Sequence, residues 1–138
     1  MNLNTWKKEG AISIWRYEPK KKNFPGWHMT ADSIGYESLI ELLSLLKNSI
    51  AESKRTIELD SPDGWSASTE LKKTPEKKVV IQLIDGGEQW KLKNEDGKLI
   101  IMLNKLGVSL FLGGIERAKS GDYDFSIGGT KGQNLWFW

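Results

Sequence analysis

The chain has no cysteine and a single histidine, His28, among its 138 residues. The lack of cysteine excludes a disulfide framework, a thiolate nucleophile and a cysteine-ligated metal site. Carboxylates remain as possible metal ligands, but the acidic residues do not show the spacing of a calcium-binding loop. Motifs of the GxSxG, GxxxxGKS/T and GxGxxG types are missing too. The sequence therefore predicts no enzyme, no catalytic residue, no metal and no cofactor.

Long hydrophobic runs and a strong net charge are also missing. The most apolar stretch, residues 39–50, contains Glu41 and Lys47 and is too short to cross a bilayer. A net charge of +2 gives no reason to expect binding to nucleic acid or to a membrane surface. The first residues lack the apolar core of a signal peptide, and the preference for Lys, Asn and Ile is typical of an AT-rich bacterial genome. We therefore expect a cytoplasmic bacterial protein that binds neither nucleic acid nor membranes.

The hydrophobic pattern predicts an α+β fold with a mainly antiparallel β-sheet and two helices packed on it. Apolar residues at helical spacing predict a first helix that begins after Asp32 or Ser33 and ends near Ser49. The segment 98–103 is apolar on both faces, which predicts a central strand covered on both sides. The other predicted strands are residues 11–17, 27–31, 55–60, 65–70, 79–84, 89–93, 122–128 and 133–138.

The segment 104–120 allows two interpretations. As a strand, Val108–Leu112 would pair back on the preceding strand; as a helix, the segment would begin after Asn104 as its N-cap. The helix would bury one stripe, formed by Leu110, Phe111, Ile115 and Ala118. Its glycines count against it, because each costs roughly 1 kcal/mol relative to alanine.

An internal match favours the helix, at residues 105–119. A shift of 72 residues places 30–49 over 102–121, so that Asp32 falls on Asn104 and Gly35 on Gly107. The order of predicted elements around the two segments also agrees. We therefore predict one domain, residues 1–138, made of two pseudo-symmetric ββαββ halves. These halves run over about 11–70 and 79–138, and a polar connector at 71–78 joins them.

His28 allows two interpretations, as a catalytic base or as an ordinary strand residue. It aligns with Ile100 in the internal match, so the scaffold does not need a histidine at this position. A general base also needs an orienting partner and a substrate pocket, and no motif indicates either. We expect a partly buried or surface histidine near a strand end.

Seven tryptophans are many for a chain of this length. Trp136 and Trp138 share one face of the last predicted strand, and Phe137 lies on the other. We expect this strand to be docked in the sheet, with the two tryptophans under a helix or against a second subunit and Phe137 also covered. Tryptophans serve as core, as protein interface or as ligand platform. The candidate partner-binding residues are Trp136, Trp138, Trp27 and His28.

Three stretches, NFPGWHMTADSIGYESLIELL at 23–43, GDYDFSIGG at 121–129 and the terminal LWFW, carry a resemblance. The chain resembles small uncharacterised bacterial proteins, some neighbours of which are immunity proteins of polymorphic toxin systems. The resemblance implies binding rather than catalysis, and it implies no catalytic residues. We expect a protein that works by protein–protein contact, with a toxin or a second copy as partner. A small-ligand or carbohydrate-binding module is the alternative.

Overall fold

The computed structural model describes residues 2–18, 26–60, 72–128 and 132–138. The predicted strand at 65–70 lies outside these residues. Two helices lie within them, α1 (Ser33–Lys47) and α2 (Lys105–Lys119). Neither is long and apolar enough to cross a membrane. The strands are β1 (Ile12–Glu18), β2 (Trp27–Ala31), β3 (Ser53–Glu58), β4 (Lys72–Pro75), β5 (Lys78–Leu83), β6 (Trp90–Glu95), β7 (Lys98–Leu103), β8 (Phe125–Ile127) and β9 (Leu135–Phe137).

The strands form two sheets, not the single sheet that the sequence predicted. Sheet A has the order β4-β1-β2-β9-β8, and sheet B has the order β3-β5-β7-β6. Neighbours are antiparallel except for the parallel pairs β2–β9 and β5–β7, so both sheets are mixed. The α+β class is confirmed. Hydrophobic periodicity assigns residues to faces but does not choose distant partners, which is why the division into two sheets was missed.

The described residues contain two ββαββ units, whose bounds differ from those of the predicted halves, and the units exchange strands. The first unit is β1, β2, α1, β3 and β5; the second is β6, β7, α2, β8 and β9. In sheet A the hairpin β1–β2 is extended by β9 and β8, whereas in sheet B the hairpin β6–β7 is extended by β5 and β3. Each unit therefore completes the sheet of the other. The predicted second half includes β5, whereas β5 pairs antiparallel with β3 and is the last strand of the first unit.

The two helices begin in the same way, 72 residues apart. Each starts with a side-chain cap: Asp32 Oδ1 accepts from the Gly35 N–H (2.6 Å), and Asn104 Oδ1 accepts from the Gly107 N–H (3.0 Å). A methyl carbon on Gly107 would lie 1.9 Å from the carbonyl oxygen of Gln89, and one on Gly35 would meet backbone at 2.3 Å. The glycines thus allow each helix to approach the chain that enters a hairpin. The predicted helix at 105–119 is confirmed.

The helices lie side by side and antiparallel. Lys105, at the start of α2, donates to the carbonyls of Leu46 (2.9 Å) and Lys47 (2.5 Å) at the end of α1. Lys119, at the end of α2, pairs with Glu37 in the first turns of α1. A cation at the carbonyl end of a helix also complements its dipole. The pair of helices is therefore fixed at both ends by lysines of α2.

The buried faces of both sheets and both helices form one hydrophobic core. Phe111 of α2 meets Trp90 of sheet B edge to face, with ring centroids 5.6 Å apart. Gly114 of α2 brings the helix against the ring of Phe137 in sheet A. Of the predicted stripe, Leu110 is only half-buried, whereas Val108, which lies one turn before Phe111 on the packed face, is fully buried.

The predicted connector at 71–78 contains a strand. Lys72–Pro75 pair with β1 as β4, at the edge of sheet A, where the missing N–H of Pro75 costs no central ladder bond.

The Asp60 carboxylate connects the chain after β3 to the start of β1. Its Oδ2 accepts from Lys8 Nζ (2.5 Å) and from the Ile12 N–H (3.0 Å). The hydrogen bond from Lys8 holds the pKa of the Asp60 carboxyl below its ordinary value.

Among the described residues, the two helices lie on one side of sheet B. Leu99, Ile101 and Leu103 of β7 are buried against the helices, but Ile100 and Met102 on the other side are half-buried. The strand is central as expected, between β5 and β6, but the expectation that both of its faces are covered is wrong, because Ile100 and Met102 are only half-buried.

Candidate functional site

The candidate site is the side of sheet A that points away from the helices, which we call the aromatic face. It carries Trp15 of β1, His28 of β2, Trp136 of β9, and Trp138, which directly follows β9. Phe137, between the two tryptophans, is fully buried and points to α2, so Trp136 and Trp138 point the opposite way. The predicted docking of the last strand and the covering of Phe137 agree with the structure. The helix, however, lies on the Phe137 side.

His28 is the centre of the aromatic face and is fully buried. Its ring stacks with Trp15 (centroids 5.9 Å apart, 19° between planes) and with Trp138 (5.8 Å, 20°). Its Nδ1 accepts a hydrogen bond of 2.7 Å from the indole N–H of Trp138. An indole N–H can only donate, so Nδ1 carries no proton in this arrangement. His28 lies near a strand end as expected, at the second position of β2, but the expectation of a partly buried or surface residue is wrong: His28 is fully buried and positions Trp138.

Trp136 and Trp138 keep part of their surface in solvent. Their rings stack with centroids 6.4 Å apart and 22° between planes. The backbone beneath them is rigid, because β9 lies between β2 and β8 and the Trp138 N–H donates to the Met29 carbonyl (3.1 Å). Thr30 Oγ1 also donates to the Trp138 carbonyl (2.9 Å). The pair is thus a fixed aromatic feature on the outside of sheet A.

Trp27 does not belong to the aromatic face. Its ring is 92% covered on the core side of β2, and its indole N–H donates to Glu76 Oε1 (3.2 Å). The structure therefore brings together three of the four candidate residues, and alternation along β2 separates Trp27 from them.

Glu76 is a buried carboxylate that the sequence did not reveal. It is 3% exposed, it accepts from Asn94 Nδ2 at both oxygens (2.9 Å each), and Arg16 Nε lies 3.0 Å from Oε1. Its partners come from β1 and β2 of sheet A and β6 of sheet B, so it joins the two sheets. Its position between Pro75 and Lys77, in a polar segment, gave no signal of burial. A carboxylate paired on this many sides is suited to holding structure rather than to proton transfer.

The grooves and acidic residues of the described ranges are weaker candidates for a functional site. A groove of about 480 Å³ lies beside Ile50 and Lys105, and one of about 190 Å³ lies beside Glu37 and Lys119. Neither is lined by a residue of the aromatic face. Within residues 2–18, 26–60, 72–128 and 132–138, no three His, Asp or Glu side chains are grouped in a way that would hold a metal ion.

Comparisons with protein-family models, curated proteins and solved structures find no match to this chain.

Proposed function

We propose that the protein acts by binding another protein, without catalysis, and that Trp136 and Trp138 form the centre of the contact. The specific version is a bacterial immunity protein that neutralises a toxin, as the resemblance in the sequence implies. The observation that carries the proposal is the pair of partly exposed, stacked indoles on the aromatic face.

Tryptophan suits this role because it presents a large apolar area at a small entropic cost. Tryptophans are enriched among the few interface residues that supply most of the binding free energy. Side chains that are already ordered lose less freedom on association, so a preformed pair favours affinity. Trp138 is ordered by its hydrogen bond to His28, and Trp136 by stacking on Trp138.

The position of His28 supports binding over catalysis. Nδ1 is engaged by Trp138, and the imidazole lies between two indole rings with no exposed surface. A general base must reach the proton that it abstracts within hydrogen-bond distance, directly or through one water. The imidazole is therefore better suited to positioning the indole than to meeting a substrate.

A small ligand or carbohydrate is the alternative occupant of the same surface. Partly exposed indoles are the feature that such a site would use. Stacking on His28 and on Trp136 occupies ring surface of Trp138 that a sugar would need. This favours a protein partner.

The test begins with the gene neighbourhood, where the toxin version predicts a toxin gene directly upstream and a neighbourhood without one would contradict it. The toxin domain of that gene is then used in a growth assay. Co-expression of the parent should restore growth, and Trp136→Thr should lose protection with a fall in affinity of about tenfold or more. Ile50→Ser is the matched control, because Ile50 is fully exposed and lies outside the aromatic face. Trp136→Phe should retain part of the affinity, since a smaller aromatic ring remains.

Circular dichroism of each variant separates lost binding from lost folding. Equal protection by Trp136→Thr and by the parent would contradict the proposed surface. Absence of protection by the parent, together with a purified protein that sediments as a dimer and turns monomeric in Trp136→Thr, would reject the toxin version and favour a second copy as partner.

A further inference from the structure

The outer face of sheet B carries a second surface, which we call the lysine-framed face. Its side chains point away from the helices on all four strands. The half-buried residues Val80, Gln82, Ile100 and Met102 occupy the centre, on β5 and β7. Exposed lysines stand around this centre: Lys54, Lys78, Lys91, Lys93 and Lys98.

The strand register places these residues in rows. One row runs Lys54, Gln82, Met102 and Lys91 from β3 to β6. The next runs Thr56, Val80, Ile100 and Lys93. The first row therefore has Gln82 and Met102 at its centre, and the second has Val80 and Ile100. Both rows end on a lysine of β6.

The third row differs, since Glu58 and Glu95 stand at its ends and Lys78 and Lys98 between them. The face as a whole carries five lysines and two glutamates. The face therefore carries a net charge of +3, whereas the net charge of the entire chain is +2, so the positive charge is concentrated on this face.

We infer that the lysine-framed face binds an acidic protein segment, whose carboxylates meet Lys91 and Lys54 and whose apolar side chains cover Ile100 and Val80. Lys93 Nζ lies 3.1 Å from Glu95 Oε1, so a partner carboxylate would share or replace that ion pair. Complementary charge steers such partners and fixes their register. The apolar centre adds area that leaves water on binding. This surface lies on the other sheet from Trp136 and Trp138, so the inference does not depend on the function proposed for the aromatic face.

The composition of the face favours a protein over nucleic acid. Single-stranded nucleic acid is bound by stacking of bases on aromatic side chains, and arginine is preferred for phosphates. The lysine-framed face has neither an aromatic nor an arginine side chain. The glutamates in the third row would also repel a phosphate backbone.

The experiment titrates the isotope-labelled full chain with three probes and follows its amide NMR signals. The probes are a random copolymer of glutamate and tyrosine, polyglutamate, and an oligothymidylate of about twelve nucleotides. The copolymer should bind most tightly, shift the amides of β5, β6 and β7, and weaken about tenfold when salt is raised from about 50 to 300 mM.

Charge-reversal variants give the matched control. Lys91→Glu/Lys93→Glu should weaken copolymer binding about tenfold. Lys7→Glu/Lys47→Glu makes the same change in net charge at two exposed sites elsewhere and should weaken it less than about threefold. Ile100→Thr should weaken the copolymer several-fold and leave polyglutamate almost unchanged. If the reversal disturbs the fold, Lys91→Gln/Lys93→Gln replaces it, with a smaller loss in the same direction.

Three results would overturn the inference. One is an equal loss of copolymer affinity in the two charge-reversal variants, which would show that the copolymer is attracted by net charge and does not bind a specific surface. The second is tighter binding of oligothymidylate than of copolymer, which would favour nucleic acid. The third is a map of shifted amides outside sheet B. None of these results bears on toxin protection by Trp136, because that residue is unchanged in every variant.

Discussion

Replacing His28 by alanine should destabilise the protein by about 2–4 kcal/mol, because the residue is fully buried and positions a neighbour. The hydrogen bond to the Trp138 indole contributes about 0.5–1.5 kcal/mol net. The rest comes from the cavity left between the rings of Trp15 and Trp138. For a chain of this size, the melting temperature should fall by roughly 10 °C.

The assay is guanidinium unfolding followed by far-ultraviolet circular dichroism, which does not depend on tryptophan fluorescence. A double-mutant cycle isolates the hydrogen bond. In a Trp138→Phe background the donor is missing, so His28→Ala should cost about 0.5–1.5 kcal/mol less than in the parent. An unfolding free energy of His28→Ala within about 0.5 kcal/mol of the parent would refute the interior, positioning role.

Three further perturbations test the fold. Gly107→Ala should lower the unfolding free energy by about 2 kcal/mol or more, because its methyl group would meet backbone atoms. Gly113→Ala, in open space on the same helix, should raise the unfolding free energy by about 0.5–1 kcal/mol. Equal effects of the two substitutions would contradict the close approach at Gly107. The depressed pKa of Asp60 stabilises the fold fully above the ordinary value of 3.8, and the contribution is lost as pH falls through the folded-state pKa. Asp60→Asn should therefore flatten the acid limb of the stability curve, and an unchanged limb would argue against the Lys8 bond. Fragments 1–86 and 87–138, cut between two exposed turn glycines, should each fail to unfold cooperatively and should regain the native spectrum when mixed. Cooperative unfolding of either fragment alone would refute the strand exchange.

The helices and their repeat were predictable because their signals are local. The cap and the glycine three residues on lie within one turn of each other, in Asp32 and Gly35 and again in Asn104 and Gly107. A shift of 72 residues therefore aligned both starts at once. Helical spacing identified most of the buried stripe of α2, and the exception, Leu110, lies at the border of the packed face next to Phe111.

The pairing of strands and the site were not predictable to the same degree. More than half of the chain separates β2 from β9, and no local sequence pattern predicts that these two strands pair in parallel. The alternation of Trp136, Phe137 and Trp138 gave the correct two faces, but which face met the helix depended on that pairing. The burial of His28 and of Glu76 likewise results from partners that are distant in sequence.

Hydroxyl-radical footprinting of the tryptophans tests the central claim most directly, that Trp136 and Trp138 of the aromatic face meet a protein partner. The purified chain is oxidised alone and after mixing with the toxin domain encoded directly upstream, and each residue is quantified by mass spectrometry. We predict that Trp136 and Trp138 become protected in the mixture, while exposed Ile50 reacts equally in both samples. Unchanged oxidation of Trp136 and Trp138 in a mixture that forms a complex would contradict the claim.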